Sequence, residues 1–332
     1  MPKAPPDLLA RPAGNAAALI GLTLLEGARA ALGRLADPDD TEALHDFRVA
    51  LRRLRSTLRG FRPELGDAVP KKLQRRLRDL ARTTGAGRDA EVQLAWIRDH
   101  AGALGRGSRG GLAWLRARLL DRRDRAYAAI REEVPPQFRR LERRVRRALN
   151  RATSDRDRSP GQPSFGTAAT RLLRDQAVDL EQALDAARSP GDESAIHNAR
   201  IAVKRVRYLL ETLAGALADA AVLVAPCRRL QDLLGELHDA HVLAEELGDA
   251  VAEAAAARPT PASAGPLALA RLASETEARL FERLVTEWLD AKLPALVQTL
   301  TGFGERLRPV VPVRLARSSH PLRVRYTPRA RS

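Results

Sequence analysis

The sequence predicts an all-α protein made of two related helical halves. Three observations carry that reading. Apolar residues make up 44% of the 332 residues while aromatics are only 4%, with Ala and Leu dominant and β-branched runs scarce. Such a composition favours helix over sheet. Apolar side chains recur at steps of three and four, the period of an amphipathic helix. The pattern of the first half returns in the second at a nearly constant offset, the mark of an internal repeat. A chain of this length buries a core without staples.

Residues 1–14 are proline-rich and read as disordered. Asn15 to about Ala36 reads as a helix with Leu19, Leu22, Leu25 and Leu32 on one side. Asp37 to Asp40 supplies a turn and cap. The helix that follows is the most informative stretch of the chain. Leu44, Phe47, Leu51, Leu54, Leu58 and Phe61 form its apolar seam. One residue later runs a basic stripe of His45, Arg48, Arg52, Arg55, Arg59 and Arg62, with Arg53 beside it. One residue is about 100° of rotation, so the stripe lies along one shoulder of the seam. No acidic residue occurs between Phe47 and Pro63. Like charges at this spacing cost roughly 0.2–0.5 kcal/mol per pair. A helix that carries such a cost calls for an anion.

Gly60 and Pro63 end that helix, and Asp67 to about Thr84 forms the next, with Lys71, Lys72, Arg75, Arg76, Arg78 and Arg82 as its basic residues. Gly85 to Arg88 breaks the pattern and Asp89 to Leu104 resumes it. After a Gly-rich link at 105–111, a helix runs to about Glu133, Pro135-Pro136 interrupts, and a short basic helix reaches Arg151. Residues 152–165 read as a linker between the halves, 15–151 and 166–308. Helices are expected at 166–188, 192–217, 219–236, 239–256, 266–290 and 293–308, and an irregular basic tail at 309–332.

His197-Asn-Ala-Arg-Ile-Ala-Val-Lys-Arg-Val-Arg restates the first stripe at an offset of 152. His45 pairs with His197, Arg48 with Arg200, Arg52 with Lys204, Arg53 with Arg205 and Arg55 with Arg207. The seam returns as Ile196, Ala199, Val203, Val206, Leu210 and Leu213, whereas Arg59 becomes Glu211. Downstream, Leu80 to Asp89 aligns with Leu230 to Asp239, with Arg88 on His238.

The net charge is +16 and unevenly placed. Residues 1–160 hold 35 Lys and Arg against 20 Asp and Glu; residues 161–304 hold 14 against 20, and residues 305–332 hold 8 against 1. Of the 57 basic residues, 52 are Arg, whose planar fork suits phosphate oxygens. A polyanionic partner is expected, held by two acid-free stripes that each cover roughly 20–27 Å of helix. Arg122–Arg125 and Arg139–Arg147 have Asp121, Asp124 and Glu142 interleaved and read as solvated faces. His238 and His241 stand at the spacing of a metal-ligand pair, but their counterparts in the first half are Arg88 and Glu91, so no metal is expected. Glu275-Thr-Glu277-Ala-Arg279 ends its acid alternation in Arg and reads as surface. No Gly-x-Ser-x-Gly, phosphate-binding Gly loop or cysteine site supports nucleophilic catalysis.

Compartment follows from the same reading. Cys227 is the lone cysteine, which fits a reducing environment. The N-terminus has no hydrophobic core of a signal peptide, and no run of about 18 uncharged apolar residues appears. A cytoplasmic location away from membranes is expected.

The two blocks His45-x-x-Arg48-x-x-x-Arg52-Arg53-x-Arg55 and His197-x-x-Arg200-x-x-x-Lys204-Arg205-x-Arg207, with Arg88-Asp89-x-Glu91-Val92, resemble the CHAD family, the conserved histidine α-helical domain. The resemblance covers residues 15–305. It implies two pseudo-twofold-related four-helix bundles around a basic central surface, one CHAD domain over 15–308, and binding of inorganic polyphosphate. It also implies a place at polyphosphate granules, as in some members. The ligands it implies are His45, Arg48, Arg52, Arg53, Arg55, Arg88, His197, Arg200, Lys204, Arg205 and Arg207; Arg59 extends the first stripe. The chain departs from the family at His238 and His241, which replace the Arg and Asp of the second downstream motif, and at Glu211. Some members are fused to a CYTH triphosphatase domain; none is found here, so binding without hydrolysis is implied, with no cofactor.

Two readings compete. Nucleic-acid backbone binding is the second choice, since few aromatics are present to stack on bases. A polyphosphate-acting enzyme that uses His238 and Asp239 is third.

Overall fold

The computed structural model describes residues 7–37, 40, 42–105, 108–154, 161–257 and 264–307. The expected disorder in residues 1–6, the centre of the expected linker at 155–160 and the basic tail from 309 lie outside them. The described residues are mostly helical, with no β-strand among them. The helices are α1 (Ala13–Arg34), α2 (Ala43–Gly60), the single turn α3 (Arg62–Leu65), α4 (Lys71–Thr83), α5 (Gly85–His100), α6 (Arg109–Ser154), α7 (Phe165–Asp185), α8 (Glu193–Ala214), α9 (Ala218–Ala257), α10 (Ala264–Leu284) and α11 (Leu293–Arg306). A π-helical stretch, Val285–Lys292, joins the last two.

The seams read from sequence are the buried faces. Leu44, Phe47, Leu51, Leu54, Leu58 and Phe61 of the α2 seam are all buried, and so are Ile196, Ala199, Val203, Val206, Leu210 and Leu213 of α8. These seams place α2 against α1 and α8 against α7 and α9. One continuous core cluster draws residues from both halves. At its centre the rings of Phe61 and Phe165 stack with centroids 4.9 Å apart. A Cβ on Gly60 would stand 2.7 Å from a methyl carbon of Leu172, so a larger residue there would make that side chain shift. A second, smaller cluster forms where α5, α6, α9 and α10 extend past the main body, around Ile97, Leu115, Leu119, Leu243, Leu247 and Leu269.

Several elements differ from expectation. Pro135 and Pro136 do not interrupt α6, which runs unbroken through them. Proline inside a helix costs about 3 kcal/mol or more. Val134 and Phe138 flank the pair and are fully buried, and Phe138 packs edge-on against Phe47 at 5.3 Å. Burial of two such side chains stabilises by about 1.5–3 kcal/mol each, enough to hold the helix together. The break expected at Gly85–Arg88 is confined to Thr84, and α5 begins at Gly85. In the second half there is no break: 219–236 and 239–256 are one helix, α9, which also runs through Pro226.

Residues 7–14 are not disordered. Leu8 is buried, and Arg11 and Ala13 exchange backbone hydrogen bonds with Phe165 and Pro163. The expected linker is correspondingly shorter, since α6 continues to Ser154 and Ser164 caps α7 by accepting from the Thr167 amide at 3.2 Å. By length and composition, α1 is apolar enough to cross a membrane. In the fold, its Ala16, Ala17, Leu25 and Ala28 are buried in the main core.

Candidate functional site

Between the two stripe-bearing helices lies an open cleft of about 1950 Å³. Its walls come from α2 and α4 on one side and from α7, α8 and α9 on the other, with α5 at one end. The α2 seam is buried, so its shoulder stripe must face outward. The outward direction is into the cleft: His45, Arg48, Arg52, Arg55, Arg59 and Arg62 all line it. From α8 the cleft receives His197, Arg200, Lys204 and Arg205, and from α5 it receives Arg88.

Two expected ligands are elsewhere. Arg53 and Arg207 do not line the cleft; both reach Glu211, at 2.7 Å and 2.8 Å. They also flank the ring of Tyr208, with guanidinium carbons 5.8 Å and 4.9 Å from its centroid. Glu211 is 10% exposed and Arg207 12%, so this is a nearly buried knot between α2 and α8. Glu211, the departure from the first stripe, is the counter-ion that fastens the two helices.

Arg48 does two things. It lines the cleft, and its Nη1 donates to the Thr84 carbonyl and, at 3.0 Å, to the Thr84 hydroxyl. Thr84 is fully buried at the break between α4 and α5, where the carbonyl loses its helical partner. Arg88 pairs with Glu91 at 3.1 Å, and Glu91 in turn accepts from the Tyr127 phenol.

Other lining residues were not singled out as ligands. Lys71, Arg75 and Arg78 of α4 face the cleft, as do Arg171 of α7 and His238 of α9. The signal for the first three was available: they recur at steps of four and three on the side away from Leu73, Leu77 and Leu80. Arg171 carried no such signal. It is placed by Glu64, a carboxylate only 3% exposed, whose oxygen lies 2.7 Å from the Arg171 Nη2. His238 and His241 diverge. His238 enters the cleft with its ring centroid 5.6 Å from that of His197. His241 turns away and meets Glu277 at 2.8 Å. That contact leaves Glu277 half-buried, not on the surface. Among the described residues no group of three or more His, Cys, Asp or Glu could hold a metal.

The cleft is electrically polarised. Neither α2 nor α4 contributes a carboxylate to it; Asp67 enters from the turn before α4, Asp89 from α5, Asp175 and Asp179 from α7, and Asp232, Glu236 and Asp239 from α9. Arg205 lies 3.6 Å from Asp179 and Arg200 3.9 Å from Asp239. Among the described residues Arg52, Arg55, Arg59, Arg62, Lys71 and Arg75 have no carboxylate within ion-pair distance. Burial and neighbouring cations push the basic groups down together. Lys204 falls to about 7, through burial and then the charges of Arg200 and Arg52. His238 falls to about 4, through burial and then Arg200 and His197. Arg48, Arg55 and Arg200 are lowered in the same way. Every one of these shifts disfavours positive charge, first through burial and then through neighbouring cations, and a bound anion would offset both.

Comparison with known proteins places this geometry. The family model described as the CHAD domain matches residues 23–248. No curated protein matches the chain. Among solved structures, the CHAD domain from the plant Ricinus communis is 24% identical, with a TM-score of 0.61 over 88% of this chain and 92% of that one. PptA from Streptomyces chartreusis is 19% identical, with a TM-score of 0.60 over 89% of this chain and 99% of that one. At these identities the two structures speak for the fold.

Proposed function

The chain belongs to the CHAD domain family, and from that premise we propose that its cleft binds inorganic polyphosphate without hydrolysing it. The observation that carries the reading is the wall of α2 and α4, from which Arg52, Arg55, Arg59, Lys71 and Arg75 face an open cleft with no carboxylate partner among the described residues. A volume of about 1950 Å³ exceeds the roughly 300–1,000 Å³ of small-molecule sites and suits an extended ligand. Arginine forks along a helix match a chain of repeating phosphate oxygens. Ten of the twelve candidate ligands line the cleft, and Arg53 and Arg207 are assigned to holding α2 against α8.

Nucleic acid is the weaker alternative. Tyr208 is the aromatic residue among the lining side chains; it is 6% exposed and flanked by Arg53 and Arg207, so it offers no platform for a base. The acids of α9 and α7 would repel a second backbone strand.

The test is competition. Purified protein is titrated with long-chain polyphosphate at near-physiological salt, with duplex DNA as competitor, while free phosphate is followed. Polyphosphate should win, with no phosphate released. Equal or tighter binding of DNA would overturn the reading, and metal-dependent phosphate release would make the protein an enzyme.

A further inference from the structure

A second basic groove lies on the far side of α4, between it and the C-terminal half of α6. It has a volume of about 390 Å³ and is lined by Pro70, Lys72, Leu73, Arg76, Arg144, Arg147, Ala148 and Arg151. Its five cations are all exposed, and no carboxylate lines it. Glu142, two residues from Arg144, is engaged elsewhere: with Glu26 it holds Arg146, at 2.7 Å and 3.0 Å. Among the described residues Lys72, Arg76, Arg144, Arg147 and Arg151 make no ion pair.

Of the run Arg139–Arg147, read from sequence as a solvated face, Arg144 and Arg147 line this groove. Among the described residues these five cations have no carboxylate partner, the same condition that marks Arg52, Arg55 and Arg59 in the cleft. The two sites also share a wall. Lys71, Arg75 and Arg78 of α4 face the cleft, and Lys72 and Arg76 of the same helix face the groove. An α-helix is about 10–12 Å across with its side chains, so only one helix separates them. Lys71 and Lys72 stand side by side in the first turn of α4, where the cleft and the groove come together.

We infer that the groove between α4 and α6 is a second polyanion site, which holds the continuation of a phosphate chain whose other part sits in the cleft. This inference rests on the polyphosphate reading of the cleft. Arg52, Arg55 and Lys71 line the cleft and Lys72, Arg147 and Arg151 line the groove, so a chain that crosses α4 at Lys71 and Lys72 has cations on both sides. A short chain contained in the cleft does not reach the groove. The groove thus makes the protein selective for long chains through added contacts at one end of the ligand, as tethered sites do.

The experiment compares tripolyphosphate with long-chain polyphosphate on the full chain. K72E/R76E/R147E should weaken long-chain binding by about tenfold or more and lower its log–log salt slope by about two. Tripolyphosphate affinity should stay within about twofold, because a chain that short, held in the cleft, makes no contact with Lys72, Arg76 or Arg147. R52E/R55E in the cleft should weaken both ligands. Neutral K72Q/R76Q/R147Q repeats the comparison if charge reversal disturbs the fold, which circular dichroism reports. Unchanged long-chain affinity in the groove variants, with R52E/R55E impaired, would overturn the groove and leave the cleft reading standing. Equal losses for polyglutamate and polyphosphate would reveal an unspecific charged patch and overturn the assignment to phosphate. No binding of either phosphate by the unaltered protein would overturn both readings together.

Discussion

Lys204 shows at the scale of one residue how the cleft is poised. Its amine is held at about 7, against an ordinary lysine value of 10.5, by burial and by Arg200 and Arg52. It is therefore neutral above about pH 7. A bound polyanion raises its pKa, so binding takes up a proton between about pH 7 and the higher value of the complex. Affinity should rise as pH falls toward about 7 and level off below it. K204R stays charged throughout and should lose that dependence. Calorimetry in buffers of different ionisation enthalpy measures the proton directly. For the ligand-free protein the same shift works in the other direction. Between about pH 7 and 10.5 the unfolded chain holds the extra proton, so stability should rise with pH across that window. Glu211 makes the complementary point. E211A leaves Arg53 and Arg207 facing each other with no counter-ion and should cost about 3 kcal/mol in urea unfolding. Loss of polyphosphate affinity without loss of stability would contradict the structural role given to Glu211.

At the scale of the helix, two forces compete and packing decides. The prolines of α6 oppose helix and the flanking Val134 and Phe138 support it; the helix continues. P136A removes the opposing term and should stabilise the protein by about 1–3 kcal/mol, read as a shift in the urea midpoint. The stripes compete in the same way, with repulsion along α2 set against its buried seam. Location of charge, and not its amount, should then govern binding. R52E/R55E should weaken polyphosphate binding by about tenfold or more, whereas R122E/R123E should have little effect. Arg122 and Arg123 are already paired, with Glu246 at 3.1 Å and Asp124 at 2.6 Å. Arg48 is left out of this comparison because it also fastens the break at Thr84.

At the scale of the whole molecule, the two halves share one core. The Phe61–Phe165 stack, the Gly60–Leu172 approach and the pairing of residues 11–13 with 163–165 all cross between them. Residues 1–154 expressed alone would expose these apolar surfaces, and cooperative unfolding should be lost in circular dichroism. The complete chain should unfold in one transition that shifts upward with ligand. Polyphosphate at 100 times its dissociation constant adds about 2.7 kcal/mol. Added sodium chloride should weaken binding steeply while it stabilises the ligand-free protein, because both effects arise from the same uncompensated charge.

Helical periodicity is a one-dimensional signal, and what it can report was legible in the sequence: the helices, the buried seams of α2 and α8, and the shoulder on which each stripe lies. The absence of acids beside the first stripe was legible too, because it needs no partner to be seen. What faces each shoulder is a question of partners distant in sequence. Tertiary packing turned Arg53, about 100° around the helix from Arg52, toward Glu211. It brought Glu64 to Arg171 across 107 residues. It set His238 beside His197 and sent His241 to Glu277. It also carried α6 through two prolines and merged two expected helices into α9. In each case the local preference is worth a few kcal/mol or less, and contacts between distant segments outweigh it. The sequence by itself determined where the charge lies along each helix; only the fold decided which charges are neutralised within the protein and which are left facing the cleft.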